Sequence, residues 1–339
     1  MLTDPPPAPQ ADIHTQAVNA YARGEVDVII AAWRASATIG RAVVSALLQP
    51  ETAQVIVVDD ASSDGLATVN AARAADDGSG RLKIIGLDRN GGPSSARNAA
   101  IAAGRAPWIA ILDSDDFLEP GRLTALLAVA HEGYDLIADD LMQVPEGQPA
   151  SAGKPMWFDG DKTPVDIDFD AFIDSNISRQ SRIRRELGFL KPLVRRAFLE
   201  RHRLSYDETM RLGEDYDLYA RALSLGARMR LVPWAGYVSV MRRESLSLSH
   251  GRADLAALEA ADDRLIAKAN LNSAQQSLVR RHRFTTRSRI VWIDFMDALK
   301  QGHVFRASGI MLRDPRQAPY VLRELGKIAY RRATGKKRS

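Results

Sequence analysis

Three short acidic runs of this chain stand where a regular element begins or ends. Asp113-Ser114-Asp115-Asp116 follows the apolar stretch Trp108–Leu112, Asp59-Asp60 follows Gln54–Val58, and Glu214-Asp215 follows Gly213 at the head of a helical pattern. Carboxylates crowded together repel and raise one another's pKa, so such a cluster calls for a cation. Carboxylate oxygens are hard donors that suit Mg²⁺ or Mn²⁺, ions that commonly take one or two acids and complete their shell with substrate phosphates and water. Glu214 and Asp215 stand in a different setting. The first turn of a helix favours the ionised carboxylate, which keeps a base ready at neutral pH. Plainer readings stand beside both: the first run can end a strand and cap the helix near Glu119, and the Glu214-Asp215 pair can serve only as N-terminal helix charge.

The elements that must hold these acids follow from hydrophobic period. Val26–Ala32, Gln54–Val58, Leu82–Leu87 and Trp108–Leu112 read as strands. Between them Thr38–Leu48, Gly65–Ala75 and Pro93–Gly104 read as helices, the last with proline at its first turn and glycine past its end. This alternation implies a parallel sheet with right-handed crossovers, whose ligands sit outside the carboxyl ends of the strands. Two of the three acidic runs fall at those ends. Further on come a helix to about His131, a strand Asp135–Leu141, a Pro/Gly-rich loop from Pro145 to Pro164, and helices Arg195–His202 and Glu214–Leu225. Strand-like runs Met229–Val232 and Gly236–Met241 follow, and mainly helices after Gly251. The expected organisation is a flexible leader over 1–24, an α/β domain over 25–250 and a helical extension with a basic tail over 251–339.

Composition narrows the class. With 339 residues, 45% hydrophobic and 26% charged, the chain is long enough to bury a large core, which excludes disordered and fibrous classes. No cysteine means no disulfide, thiolate metal site or cysteine nucleophile. No apolar run reaches membrane-spanning length, and the N-terminus lacks the basic-then-apolar pattern of a secretory signal, so a cytoplasmic protein is expected. A Walker loop and a dinucleotide glycine fingerprint are both absent from the sequence.

Taken in order, five segments resemble those of inverting family 2 glycosyltransferases with the GT-A fold. They are Val28-Ile29-Ile30-Ala31-Ala32-Trp33, Val57 through Gly65, Asn90 through Arg97-Asn98, Leu112-Asp113-Ser114-Asp115-Asp116, and Gly213-Glu214-Asp215. Lys191-Pro192-Leu193 and the stretch 213–218 look most like bacterial exopolysaccharide enzymes, those of succinoglycan-type assembly included. The resemblance implies an α/β, Rossmann-like GT-A sheet that binds a nucleotide sugar, with a mainly helical C-terminal extension. It implies metal-dependent transfer of a hexose, glucose foremost, from a UDP-sugar to a lipid-linked polysaccharide intermediate.

By the same resemblance Asp60 reads the nucleobase, Arg97 lies near uracil and the phosphates, and Asp113 faces the ribose or the metal. Asp115 and Asp116 hold Mn²⁺ or Mg²⁺, His250 completes the shell, and Arg242 and Arg243 cover the diphosphate. The general base falls on Asp215, with Glu214 positioning the acceptor. Where the family often carries proline, then tyrosine and asparagine after its first strand, this chain has Ala31, Trp33 and Arg34. Trp33 still offers an aromatic face for a base to stack on. For Arg97 a salt bridge to Asp60 is the structural alternative, and Ser63 and Asp64 read better as helix caps than as ligands.

The formal charge of +4 is unevenly spread. Beyond Met311, Arg313, Arg316, Arg323, Lys327, Arg331, Arg332, Lys336, Lys337 and Arg338 face only Asp314 and Glu324. Beside Leu322, Leu325, Ile328 and Ala329, such a tail suits an anionic membrane surface, where each basic residue contributes about 1 kcal/mol. A solvated, frayed terminus is the plain alternative. The expectation is an enzyme peripheral to the inner face of the cytoplasmic membrane, meeting a lipid-linked oligosaccharide there. A sugar-phosphate nucleotidyltransferase would need a Gly-rich basic loop after the first strand, and Ala31–Ala37 has no glycine. Nucleic acid is not an expected partner, because Arg280, Arg281, Arg283, Arg287 and Arg289 have only Phe284 and Trp292 near them.

Overall fold

The computed structural model describes residues 24–158, 163–177, 186–242 and 251–334. Strand β1 (Val26–Ala32) is buried at six of its seven positions, as a strand covered on both faces must be. Helix α1 (Ile39–Leu47) returns the chain to β2 (Thr52–Asp59), α2 (Ala67–Ala74) to β3 (Leu82–Gly86), and α3 (Pro93–Ala103) to β4 (Trp108–Ile111). All three strand pairings among β1 to β4 are parallel, and every boundary lies within two residues of the one the periodicity gave. Ala31 pairs with Val58 and Ala32 with Asp59, so β1 and β2 end level and deliver their following residues to one edge.

The remaining chain completes a mixed sheet. In order come β5 (Phe117–Leu118), α4 (Arg122–Ala130), β6 (Leu136–Pro145), β7 (Lys154–Pro155), β8 (Val165–Ile167), α5 (Phe169–Asn176), β9 (Leu193–Arg195), α6 (Arg196–His202), α7 (Glu214–Ser224) and β10 (Met229–Met241). Among the described residues the main path through the sheet runs β3-β2-β1-β4-β9-β6-β10-β5. The four alternating strands are parallel as expected, and the later strands make the sheet mixed. Strand β9 lies antiparallel between β4 and β6, and β5 lies antiparallel to β10. Three and two residues are too few for any period to register. Met229–Val232 and Gly236–Met241 belong to one strand, not two, and its register against β6 shifts between Val232 and Tyr237. Gly236 makes that shift possible: its φ is +142°, and a Cβ there would stand 3.0 Å from the Arg122 Cβ and 3.2 Å from the Glu119 carbonyl.

Among the described residues four α-helices follow β10: α8 (Arg252–Lys268), α9 (Ser273–Lys300), α10 (Val304–Arg313) and α11 (Ala318–Thr334). Asn272 and Gln275 form a capping box at the start of α9. Val291, Phe295 and Ala298 of α9 pack with Ala307 of α10 and Val321 of α11, and Leu325 packs against the same cluster. Among the described residues, those up to Asp166, with Leu190–Arg203 and Ala227–Met241, form one compact unit, which holds the parallel strands and their crossovers. The other described residues, including Leu204–Gly226 and the four C-terminal helices, form a second, so α7 groups with those helices. Among the described residues no helix is long and apolar enough to cross a membrane.

Candidate active site

At the end of β2 the two acids build a turn. Asp59 accepts from the Ser62 hydroxyl at 2.5 Å and from its N–H at 3.1 Å, while the Ser62 Oγ accepts the Arg34 N–H at 2.8 Å. This ties the end of β2 to the residues after β1, where Trp33 is 44% exposed and the Arg34 guanidinium lies 5.5 Å from its ring centre. Ala31 stays within β1, paired to Val58. Asp64 accepts from the Thr68 N–H and hydroxyl at the first turn of α2, which is the capping duty its position suggested.

Asp60 is buried and fixes the loop before α3. Its Oδ1 accepts the Gly91 N–H at 2.7 Å, its Oδ2 accepts the Gly92 N–H at 2.8 Å, and its carbonyl takes the Asn90 amide at 3.0 Å. Only glycine suits position 91, since a Cβ would lie 2.5 Å from the Ser95 hydroxyl. The carboxylate thus carries a structural duty that residue type alone did not disclose. Each of its oxygens has a second lone pair for a ligand.

Asp113 follows β4 and lies between two cations. Arg97, from α3, donates Nη2 to its Oδ1 at 2.8 Å, and Lys191, just before β9, brings Nζ to its Oδ2 at 2.9 Å. Desolvation alone would raise this carboxyl; the charges of Lys191 and Arg97 outweigh it and hold the group down at about 2. Asp113 is therefore ionised throughout the neutral range, while its side chain keeps 31% of its surface open.

The other two acids of the run diverge. Asp115 is half-buried, and its carbonyl accepts from Arg41, whose guanidinium also stacks 4.6 Å from the Phe117 ring centre. Asp116 is buried and bound to β10. Its Oδ2 accepts the Tyr237 hydroxyl at 2.9 Å and its Oδ1 the Val240 N–H at 2.8 Å. Burial, then the charges of Asp113 and Asp115, push its carboxyl well above the usual carboxylate range despite those two bonds. The Tyr237 oxygen also accepts the Asp113 N–H at 3.2 Å, so one phenol joins two of the acids.

Beneath them lies an ion pair with no solvent exposure. Arg122 donates Nε and Nη2 to Asp139 Oδ1 at 3.0 and 2.8 Å, and Nη2 also reaches the Lys191 carbonyl at 2.6 Å. Its guanidinium stands 5.1 Å from the Tyr237 ring centre, and Asp139 Oδ2 accepts the N–H groups of Ala235 and Tyr237. One buried pair thus sets both Lys191 and Tyr237. Sequence reasoning assigned no site role to Lys191, Tyr237, Arg122 or Asp139. The available signal was Lys191 standing immediately before a short apolar run.

Among the described residues no three acids or histidines converge as a cage for an ion. Arg243 and His250 lie outside the described residues, and Arg242 directly follows β10. In the second unit Glu214 and Asp215 occupy the first turn of α7, after Gly213 at φ +75°, and both are buried. Asp215 Oδ1 accepts the Tyr206 hydroxyl at 3.0 Å. The next residue, Tyr216, donates to Asp262 Oδ1 at 2.9 Å and stacks on His282, whose Nδ1 lies 2.8 Å from Asp262 Oδ2. This buried chain fastens α7 to α8 and α9.

A GT-A-like sheet whose strand ends present an acid run flanked by fixed cations marks a class of transferase, and the chain belongs to glycosyl transferase family 2, whose family model matches residues 27–176. It is a glycosyltransferase. More particularly, it is 47% identical to the succinoglycan biosynthesis protein ExoU of Rhizobium meliloti (strain 1021), over 90% of this chain and 88% of that protein. Its identity to ExoO of the same organism is 35%, over 89% and 84% of the two chains. Among solved structures, S. aureus TarS 1-349 in complex with UDP-GlcNAc superposes with a TM-score of 0.58 at 17% identity, covering 87% of this chain and 92% of that one, a likeness of fold.

Proposed function

We propose that this glycosyltransferase moves a hexose, glucose foremost, from a UDP-sugar to a lipid-linked intermediate of a bacterial exopolysaccharide, inverting the anomeric centre. The observation that carries the donor half is Asp113 held ionised between Arg97 and Lys191 at the carboxyl edge of the parallel strands. An ionised acid suits ribose hydroxyls, and a guanidinium and an ammonium suit diphosphate oxygens. Asp60 is the proposed partner of the uracil imide, Trp33 and Ala31 border the base, and Arg242 and Arg243 close over the phosphates. The succinoglycan relatives support the polymer, and the UDP-GlcNAc complex of the TarS neighbour supports the nucleotide.

For the divalent cation that this chemistry commonly uses, the residues fit in part. Asp115, with Asp113 beside it, supplies the oxygen donors for an Mg²⁺ or Mn²⁺ shared with a diphosphate, and His250 is the proposed further ligand. Asp116 is the most deeply buried acid of the run; each of its oxygens accepts one bond from β10 and keeps one lone pair with which it would join the ion. When bound, the cation offsets charge on the departing diphosphate.

The proposed base is Asp215, with Glu214 orienting the acceptor. The carboxylate takes the proton of an acceptor hydroxyl as that oxygen bonds to the anomeric carbon. The bond from that carbon to the diphosphate oxygen breaks on the opposite face, its electron pair leaving with UDP. Calorimetry of UDP with Mn²⁺, followed by a transfer screen over UDP-hexoses, tests the reading. We expect Asp215→Asn to keep UDP binding and lose transfer, and Asp113→Asn to lose UDP binding. Full transfer by Asp215→Asn, or no uptake of UDP by the intact protein, overturns it.

A further inference from the structure

Helix α10 carries an apolar face that the C-terminal bundle does not use. Phe305 is 95% exposed and Leu312 81%, and seven residues, nearly two full turns, separate them, so both lie on one side. Ala307 is buried, and Ile310 and Met311 are half-buried against the cluster of α9 and α11. The helix is thus anchored by one side while its aromatic and aliphatic residues point away from that anchor. Arg306 and Arg313, both exposed, follow these two residues and flank the same side, and α10 contains no acid. Exposed Arg316, Arg323, Arg331 and Arg332 follow in the turn after α10 and along α11.

We propose that α10 lies in the interface of an anionic lipid surface, with Phe305 and Leu312 inserted among the acyl chains and Arg306 and Arg313 on the headgroup phosphates. A ten-residue helix with apolar and basic sides is built to lie in a membrane plane rather than to cross it. The charge selects the occupant: a second copy of this face would oppose arginine to arginine, whereas an anionic leaflet complements them. The tail read from sequence placed the apolar side on α11 at Leu322, Leu325, Ile328 and Ala329. Leu325 packs inward, and the strongest outward pair belongs to α10. The inference rests on the lipid-linked acceptor proposed above for its purpose, and its test is independent of sugar transfer.

The test is co-sedimentation of the full chain with vesicles of phosphatidylglycerol and phosphatidylcholine in equal parts, against vesicles of phosphatidylcholine alone. The intact protein pellets with the anionic vesicles only. The double variant F305S/L312S lowers the bound fraction roughly ten-fold or more, and R306Q/R313Q weakens it about as much at low salt. UDP-sugar hydrolysis in solution and the thermal midpoint stay at the level of the intact protein in both variants. Unchanged vesicle binding by F305S/L312S, or equal binding to both vesicle types, overturns the proposal. So does a dimer seen by sedimentation velocity that F305S/L312S abolishes, since a second copy would then be the occupant. Loss of UDP-sugar turnover in the intact protein with vesicle binding intact sinks only the sugar-transfer reading.

Discussion

The two ends of the parallel strands use the same kind of ion pair for different ends. At the start of β1, Asp27 meets Arg196 at 2.8 Å, accepts the Ala106 N–H, and is 1% exposed; the guanidinium also donates to the carbonyls of Ala106 and Ile101. After β4, Asp113 meets Arg97 and Lys191 at similar distances, yet keeps 31% of its side chain open. The distances are alike at the two ends, but Asp113 faces two cations where Asp27 faces one, and it is the more exposed. One pair therefore fastens α6 to the sheet, and the other group, with an excess of positive charge, is left where a ligand can reach it. In an open α/β sheet the carboxyl end is the side where loops diverge and leave a crevice.

The largest effect should come from the closed end. Arg196→Met leaves the Asp27 carboxylate buried without its cation, which costs about 3–5 kcal/mol. Denaturant unfolding should show that loss, while the remaining folded protein binds UDP with its ordinary affinity. Arg122→Met should blur the contrast, because the same order of instability arrives together with weakened UDP binding, as Lys191 and Tyr237 lose their support. On the helical unit, Asp215→Asn should cut transfer by roughly 10²–10⁴-fold with little change in the unfolding midpoint, which steady-state kinetics and UDP calorimetry would separate.

Smaller still is Lys191→Met, expected to weaken UDP binding about ten-fold and to let the Asp113 carboxyl rise, a shift that carboxylate NMR titration can follow. The pH dependence of stability should be the slightest signal. Asp113 has its pKa depressed to about 2, so its contribution is present above the unfolded value near 3.8 and is lost as pH falls between the two, on the order of 1–2 kcal/mol. Asp116 works in the opposite sense: its raised carboxyl binds its proton more tightly when folded, so its contribution is lost as pH rises through the folded value. Asp116→Asn should flatten that second limb in urea titrations at several pH values.

Much of the first half was legible because strands of four to eight residues and helices of eight or more carry a period. The acids at the ends of β2 and β4 were legible for the same reason, since an apolar run that stops at a carboxylate places it. The segment β9 was not, because Leu193-Val194-Arg195 is too short to differ from any apolar triplet, although it separates β4 from β6 in the sheet. Nor could Tyr237 be read as a site residue, when its partner Asp113 stands 124 positions away. Which apolar residues of the tail face outward is not legible either: Leu322 and Leu325 are the same residue type, yet Leu325 packs inward while Leu322 is exposed.

By itself the sequence determined that four strands alternate with helices and that acids close two of them, because local period and the residue after each run are properties of neighbouring positions. Tertiary structure alone decided which cations reach Asp113, that Asp116 turns to β10, and that a buried Arg122–Asp139 pair sets Lys191 and Tyr237. Those contacts depend on the order of strands across the sheet, and that order comes from the summed packing of many distant side chains rather than from any short stretch of chain.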